Sequence, residues 1–274
     1  MNQVILDFDK DTGTQWGSHF YEEAGLCQRK AFLGRRKQEA WDAKQLNEPD
    51  DEPRSIGKIV HAVFAAYHKD GDVNIVLPST GTSDKNTTEA IRLYGAYRQR
   101  FRPEHFGKVL DTEKLLESDV FGCPTTCRTD MIVEMEFTDC ARLSLSYLTP
   151  GVWIVDHKTT KARPSEKNAI YGAKYIYGLQ APMNIVLARA SGFDVKGWIA
   201  NIIVRHKLLT DDSFLQVVRP YLPGRDEEVV KRYVQSTYAR WKIAEETGEY
   251  QANPGACNSA YKTCPFLNNG CDQF

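Results

Sequence analysis

The run GVWIVDHKTT, residues 151–160, decides how the rest of this chain is read. Val152, Trp153, Ile154 and Val155 are strand formers, and Pro150 and Gly151 punctuate their entry. The apolar run is too short for an independent helix, so it predicts a buried strand over 151–157. Side chains alternate along a strand. Asp156 and Lys158 therefore share the face of Val152 and Ile154, and His157 turns to the face of Trp153 and Val155. Taken alone, an acid and an amine on one face read as an ion pair at a solvated strand end; a functional reading needs partners elsewhere in the chain.

Bulk properties narrow the field. The 274 residues are 42% hydrophobic and 26% charged, the composition of a globular protein and not of a disordered or fibrous one. Lys and Arg number 35 against 36 Asp and Glu, so the formal net charge of -1 gives no global field for nucleic acid, and any phosphate-binding surface must be local. No apolar run reaches the length of a membrane span. The first residues, MNQVILDFDKDTG, lack the basic start and apolar core of a secretory signal, so a cytoplasmic location is expected. The seven cysteines are then expected as thiols or as metal or cluster ligands, not disulfides. No Gly-rich loop ends in Gly-Lys-Ser/Thr, so no Walker-type ATP motor is visible in the sequence.

In chain order, residues 20–36 predict a helix carrying Cys27 and a basic face, and 47–54 a polar loop. Ile56, Ile59, Val60, Val63, Phe64 and Tyr67 recur at helical spacing, with His61 just off the stripe as either a structural histidine or a ligand. A loop over 70–86 and a helix over 87–101 follow. Strands are expected over 110–120, containing Glu113, and 128–137, opened by Asp130; Asp130 reads as a turn-closing carboxylate or as a functional one. An excursion or edge hairpin is expected over 138–150, and a basic connection over 161–172. A helix over 179–190 carries Gln180 at its start, strands occupy 198–204 and 214–218, and a long helix over 226–246 is ended by Gly248. The tail, 253–274, is polar and holds three cysteines.

The order His61, Asp130, Asp156-x-Lys158, Gln180 resembles the PD-(D/E)XK nuclease superfamily in its RecB-like branch. The resemblance implies an α/β fold: a restriction-endonuclease-like core with a mixed central β-sheet flanked by helices. It implies one nuclease domain over 1–274, with a helical N-terminal segment (1–55), a catalytic core (56–220) and a C-terminal helix and cysteine tail (221–274). It further implies that Asp130 and Asp156 hold Mg²⁺ or Mn²⁺, with the backbone carbonyl of His157 as a third oxygen and His61 as an outer ligand or neighbouring site. Lys158 would orient the attacking water or stabilise the charged transition state. Glu113 reads either as a water-mediated ligand or as a solvated strand residue. The family's Tyr four residues after the Gln is replaced by Asn184, with Tyr175 and Tyr177 lying just before the helix.

Cys257, Cys264 and Cys271 are separated by six residues each, wider than usual for paired zinc ligands. With Cys27 they make four thiolates, and one early cysteine with three late ones resembles the iron-sulfur nucleases of the CRISPR spacer-acquisition and AddB types. That likeness implies a [4Fe-4S] cluster, with Zn²⁺ as the alternative. Closing the 230-residue loop from Cys27 to Cys257 would be worth about 5 kcal/mol of chain entropy. Cys123, Cys127 and Cys140 are expected as buried or partly buried thiols. Arg29, Lys30, Lys161, Arg163 and Lys167 are candidates for a phosphate track. The expected activity is a DNA exonuclease in recombination, repair or phage DNA processing, with DNA as partner and a recombinase, a single-strand-binding protein or a helicase in trans beside it. Two other readings stay open: a non-catalytic, cluster- or zinc-bearing DNA-binding or adaptor subunit, and an endonuclease on the same core.

Overall fold

In a computed structural model, the described residues are 2–5, 16–42, 52–71, 73–76, 84–161, 176, 178–253, 258–259 and 262–263. The central sheet has five strands: β3 (Lys108–Ser118), β4 (Thr125–Met135), β5 (Gly151–Thr160), β6 (Val195–Val204) and β7 (Phe214–Pro220), adjacent in that order. It is mixed, because β5 and β6 run parallel and every other neighbouring pair is antiparallel. A parallel pair cannot be closed by a tight turn, and the β5–β6 connection includes the helix Gln180–Ala190.

Seven α-helices are described: α1 (Ser18–Leu26), α2 (Gln28–Asp42), α3 (Glu52–Asp70), α4 (Asp84–Arg100), α5 (Phe137–Arg142), α6 (Gln180–Ala190) and α7 (Arg225–Thr247). They cover both faces of the sheet. On one face Phe64 and Tyr67 of α3 and Tyr97 of α4 pack with Val133, Trp153 and Val155. On the other, Phe20 of α1, Met183 of α6 and Val234 and Trp241 of α7 pack with Ile154, Trp198 and Ile202. Burial on both faces is why β5 reads as a continuous apolar run and not as an alternating one. Two short strands, β1 (Asn2–Ile5) and β2 (Val73–Val76), pair in parallel, and β8 (Asn258–Ser259) pairs with β9 (Lys262–Thr263).

Several local expectations are corrected. The helix expected over 20–36 is two helices, because Cys27 is extended (φ -157, ψ 105) and ends α1. The helix α3 starts at Glu52, inside the segment read as a loop, with Pro53 in the first turn where its missing N–H costs nothing. Residues 70–86 contain β2. The excursion after β4 is the short helix α5, started by a capping box in which Asp139 accepts from the backbone N–H of Glu136 at 2.9 Å. Gly248 ends α7 in the left-handed conformation (φ 74), as expected. Among the described residues no helix is long and apolar enough to cross a membrane.

Candidate metal centre

The site begins where two strands part. The β4–β5 ladder runs from Met135↔Gly151 to Met131↔Val155 and stops, whereas β5 stays paired with β6 as far as Thr160↔Val204. A buried backbone N–H must find an acceptor. Past the end of the ladder the N–H of His157 donates to Oδ2 of Asp130 at 2.6 Å. A carboxylate thus takes the place of a strand carbonyl. Asp130 lies inside β4, not at its opening as the sequence suggested.

Five more side chains converge on this wedge. From α3, His61 Nδ1 lies 3.0 Å from Asp130 Oδ1. From β5, Lys158 Nζ lies 2.6 Å from Oδ2 of Asp156, which is 1% exposed. From the first turn of α6, Gln180 Nε2 donates to Asp156 Oδ1 at 3.3 Å. From β3 comes Glu113, between the pairs Thr112↔Met131 and Lys114↔Thr129. Its φ of 51 is in the left-handed region, uncommon for a residue with a β-carbon, and strain of this kind clusters at functional sites. Ligand atoms of His61, Glu113 and Asp130 all lie within 4.8 Å of one another, a group that can hold a metal ion.

Electrostatics separates these acids. Burial pushes Asp130 up, but the charge and hydrogen bond of His61, with help from Lys158, outweigh it and hold the carboxyl below the usual range. Asp156 is pushed up to about 6 by burial, which Lys158 opposes and Asp130 reinforces. Glu113 is pushed up to about 7 by burial and then by Asp130. Burial works against a charged His61, yet Asp130 raises it above its ordinary value. Three carboxylates thus crowd one wedge, and Glu113 Oε1 is buried with no hydrogen-bond partner among the described residues. A metal cation fits this donor set of carboxylate oxygens with one imidazole, and its charge would relieve the like-charge crowding.

The expected face assignment on β5 is present in the structure. The ring of His157 points away from the carboxylates, stacked on His68 (5.7 Å between centroids, 9° between planes) and edge-on to Phe64 at 5.1 Å. Its Nδ1 lies 3.4 Å from Asn201 Nδ2, and burial pulls the ring down to about 4, so it is neutral. Only the backbone of His157 faces the wedge. Glu113 is the residue that sequence reasoning undervalued; its one visible signal was an acid inside an otherwise ordinary strand. Asn184, where the sequence resemblance implied a Tyr, is buried in α6.

The remaining candidates divide. Cys27 is a buried free thiol at the joint of α1 and α2, and Cys123, Cys127 and Cys140 are buried free thiols as expected. Burial pushes Cys127 up to about 12, which keeps it protonated. Cys257, Cys264, Cys271, Tyr175, Tyr177, Arg163 and Lys167 lie outside the described residues. The chain just after α7 is laid against the α1–α2 joint. Gln251 N–H donates to Gln28 Oε1 and Arg29 N–H to the Gln251 carbonyl, both at 3.2 Å, while Asn253 Nδ2 donates to the Leu26 carbonyl at 2.9 Å. Tyr250 stacks on Phe32 at 3.9 Å.

No protein-family model matches the chain, and no curated protein matches it. Among solved structures it is similar to SSO0001, at 12% identity and a TM-score of 0.39, over 87% of this chain and 76% of that one. It is also similar to a protein named "Putative exonuclease" from Eubacterium rectale, at 9% identity and a TM-score of 0.49, over 94% of this chain and 93% of that one. Likenesses this distant do not bear on the chemistry, which rests on the wedge between β4 and β5.

Proposed function

We propose that the chain is a metal-dependent DNA exonuclease of the RecB-like PD-(D/E)XK type, built on a restriction-endonuclease-like core and acting in the cytoplasm. The observation that carries this reading is the meeting of His61, Glu113, Asp130, Asp156, Lys158 and Gln180, from three strands and two helices, in one half-buried wedge. Asp130, Asp156 and His61, with Glu113 and the carbonyl of His157, would hold Mg²⁺ or Mn²⁺. Such a cation, when bound, supplies Lewis acidity toward the phosphoryl oxygens.

The chain's own groups do the rest. Lys158, with Nζ at the carboxylate of Asp156, is positioned to orient the attacking water and to donate to charge that grows on the phosphoryl group. Gln180 fixes the second oxygen of Asp156. His61 keeps Asp130 ionised.

The four-cysteine cluster belongs to the same reading. The docking of residues 250–253 on Leu26, Gln28 and Arg29 supports a [4Fe-4S] group held by Cys27, Cys257, Cys264 and Cys271, because it brings the chain ahead of Cys257 to the Cys27 joint. The hairpin that pairs Asn258 with Thr263 has Cys257 and Cys264 as its next residues in sequence.

Digestion of linear DNA with Mn²⁺ tests the activity. Wild type is expected to shorten strands progressively, and Lys158→Ala to lose digestion while remaining folded by thermal melt. Undiminished digestion by folded Lys158→Ala overturns the site. A wild type that binds DNA but never cuts supports an adaptor, and discrete fragments support an endonuclease. Anaerobically purified protein is expected brown, with iron and sulfide; a colourless zinc protein overturns the cluster.

A further inference from the structure

Behind the carboxylate wedge, in the apolar layer between α3, α4 and the sheet, four polar side chains form one hydrogen-bonded chain: His68, Tyr97, Asn201 and His157. None is more than 5% exposed. Asn201 Nδ2 donates to the Tyr97 hydroxyl oxygen and to His157 Nδ1, each at 3.4 Å. The Tyr97 hydroxyl is left to donate, and its acceptor is His68 Nε2 at 2.8 Å, on a ring that burial keeps neutral. Aromatic rings wall the chain in. Phe64 stacks on Tyr97 at 3.8 Å, and Phe106 stands edge-on to His68 at 5.1 Å.

Apolar side chains would fill this space at less cost. A polar group taken out of water destabilises the fold unless it is fully hydrogen-bonded, and here His68 Nδ1 and Asn201 Oδ1 have no partner among the described residues. What such a chain supplies, and an apolar core does not, is one fixed arrangement of the elements that it joins. Those elements build the site. His68 lies seven residues after His61, two turns along the same face of α3. His157 stands between Asp156 and Lys158 on β5, and its N–H is the one that Asp130 accepts. Tyr97 of α4 and Asn201 of β6 join the two.

The leverage is geometric. A side-chain atom ~5 Å from a helix axis moves by about 2 Å when the helix rolls by ~20°. His61 Nδ1 is only 3.0 Å from Asp130 Oδ1, so a roll of that size breaks the contact. Apolar contacts are non-directional, whereas the bond from Tyr97 to His68 weakens steeply on misalignment.

We infer that Tyr97 and His68 are positioning residues of the metal centre: their bond sets the roll of α3 so that His61 meets Asp130 as a ligand to the cation. Asn201 holds the Tyr97 hydroxyl in place from β6. The inference rests on the reading of the wedge as a metal centre, but it concerns metal affinity and is tested without DNA.

The test is Mn²⁺ binding to the full chain, read from the electron paramagnetic resonance signal of the free ion, with thermal melts to confirm folding. Tyr97→Phe keeps the ring and loses one hydroxyl; it is expected to bind Mn²⁺ about tenfold more weakly than wild type, the low end for loss of a group that orients metal ligands. His68→Leu is expected to match it. His68→Gln, whose amide oxygen can accept where Nε2 did, should stay within about twofold of wild type. In a His61→Ala background Tyr97→Phe should weaken binding by less than about twofold, because the ligand it positions is gone. Ile202→Val, on the opposite face of β6, controls for loosened packing and is expected to keep the wild-type affinity.

An affinity of Tyr97→Phe equal to that of Ile202→Val overturns the positioning role and spares the metal centre. So does a tenfold loss that persists in the His61→Ala background. Should Tyr97→Phe melt too low to assay, His68→Leu and His68→Gln decide in its place, and equal affinities of those two overturn the role. A wild type that binds no Mn²⁺ sinks the metal centre and the positioning role together. Weakened binding by Tyr97→Phe, in a protein whose wild type binds Mn²⁺ but never digests DNA, supports the positioning role and sinks the nuclease reading.

Discussion

The backbone N–H of His157 donates to the carboxylate of Asp130 at 2.6 Å, one residue pair past the point where β4 and β5 cease to bond to each other. This contact joins fold to site: the group that ends the ladder also lies at the centre of the acid cluster. Asp130→Asn keeps an acceptor oxygen for that N–H, whereas Asp130→Ala removes it. Hydrogen exchange at the His157 amide is expected to quicken at least tenfold in the alanine variant and to change little in the asparagine variant, with digestion lost in both. Equal exchange in the two variants would contradict the assigned bond.

Stability should fall with pH in the metal-free protein. Glu113 and Asp156 are raised to about 7 and about 6, so between roughly pH 4.5 and 7 the native state binds more protons than the unfolded one, and stability declines as pH rises. His61, also raised, acts in the same direction: its contribution is whole below the unfolded value of about 6.5 and is lost as pH passes its folded value. Asp130 is lowered, so its contribution is lost only in stronger acid, below the unfolded value of about 4. Thermal melts in EDTA should show a loss on the order of 2–4 kcal/mol from pH 5 to pH 7.5. Glu113→Gln should flatten that slope, and millimolar Mn²⁺ should raise the melting temperature at pH 7.5.

Away from the site, Asp226 is fully buried and binds Arg219 through both oxygens, at 2.5 and 2.9 Å, while also accepting from the Leu222 N–H at 3.0 Å. Arg219 Nε in turn donates to the Ile176 carbonyl at 2.9 Å. Asp226→Ala leaves an uncompensated guanidinium at the start of α7. Urea denaturation should register a loss of about 3–5 kcal/mol.

Gly107 connects the turn before β3 to its first residue with φ 72, and a β-carbon there would come within 2.4 Å of the Glu134 carbonyl oxygen and 2.8 Å of Asp139 Oδ2. Gly107→Ala combines a left-handed backbone with a backbone clash. A loss of about 2–4 kcal/mol is expected from chemical denaturation, set against a near-neutral Gly57→Ala in α3, where a β-carbon meets nothing within 4 Å.

What the sequence made legible was what local pattern determines. The apolar run of β5, the stripe of α3, the extent of α7 and its Gly248 cap follow from periodicity and punctuation, and the alternation rule put Asp156 with Lys158 and His157 opposite. What it hid was set by distant partners. Asp130 looked like a strand opener because Pro124 and Thr125 read as a turn, but pairing of Thr125 with Ser118 carries β4 back to Thr125. Thr125 thereby became sheet, with Pro124 just outside it. The strand β2 exists through its pairing with β1, some seventy residues earlier. The break at Cys27 coincides with the arrival of residues 250–253, which no local signal announces. Glu113 earns its place from the register of β3 on β4 and from a backbone conformation that its residue type disfavours.

The contact of residues 250–253 with Leu26, Gln28 and Arg29 spans separations of 221 to 227 residues. During synthesis α1 and α2 emerge before the five-stranded sheet, and residues 250–253 leave the ribosome only after it has been made. Until then Phe32 lacks Tyr250, and Arg35 lacks Trp241, one of the three aromatic rings it lies over. The α1–α2 pair is thus made before the sheet and finished only after it, which leaves these faces open to proteases and chaperones while the chain between is being built.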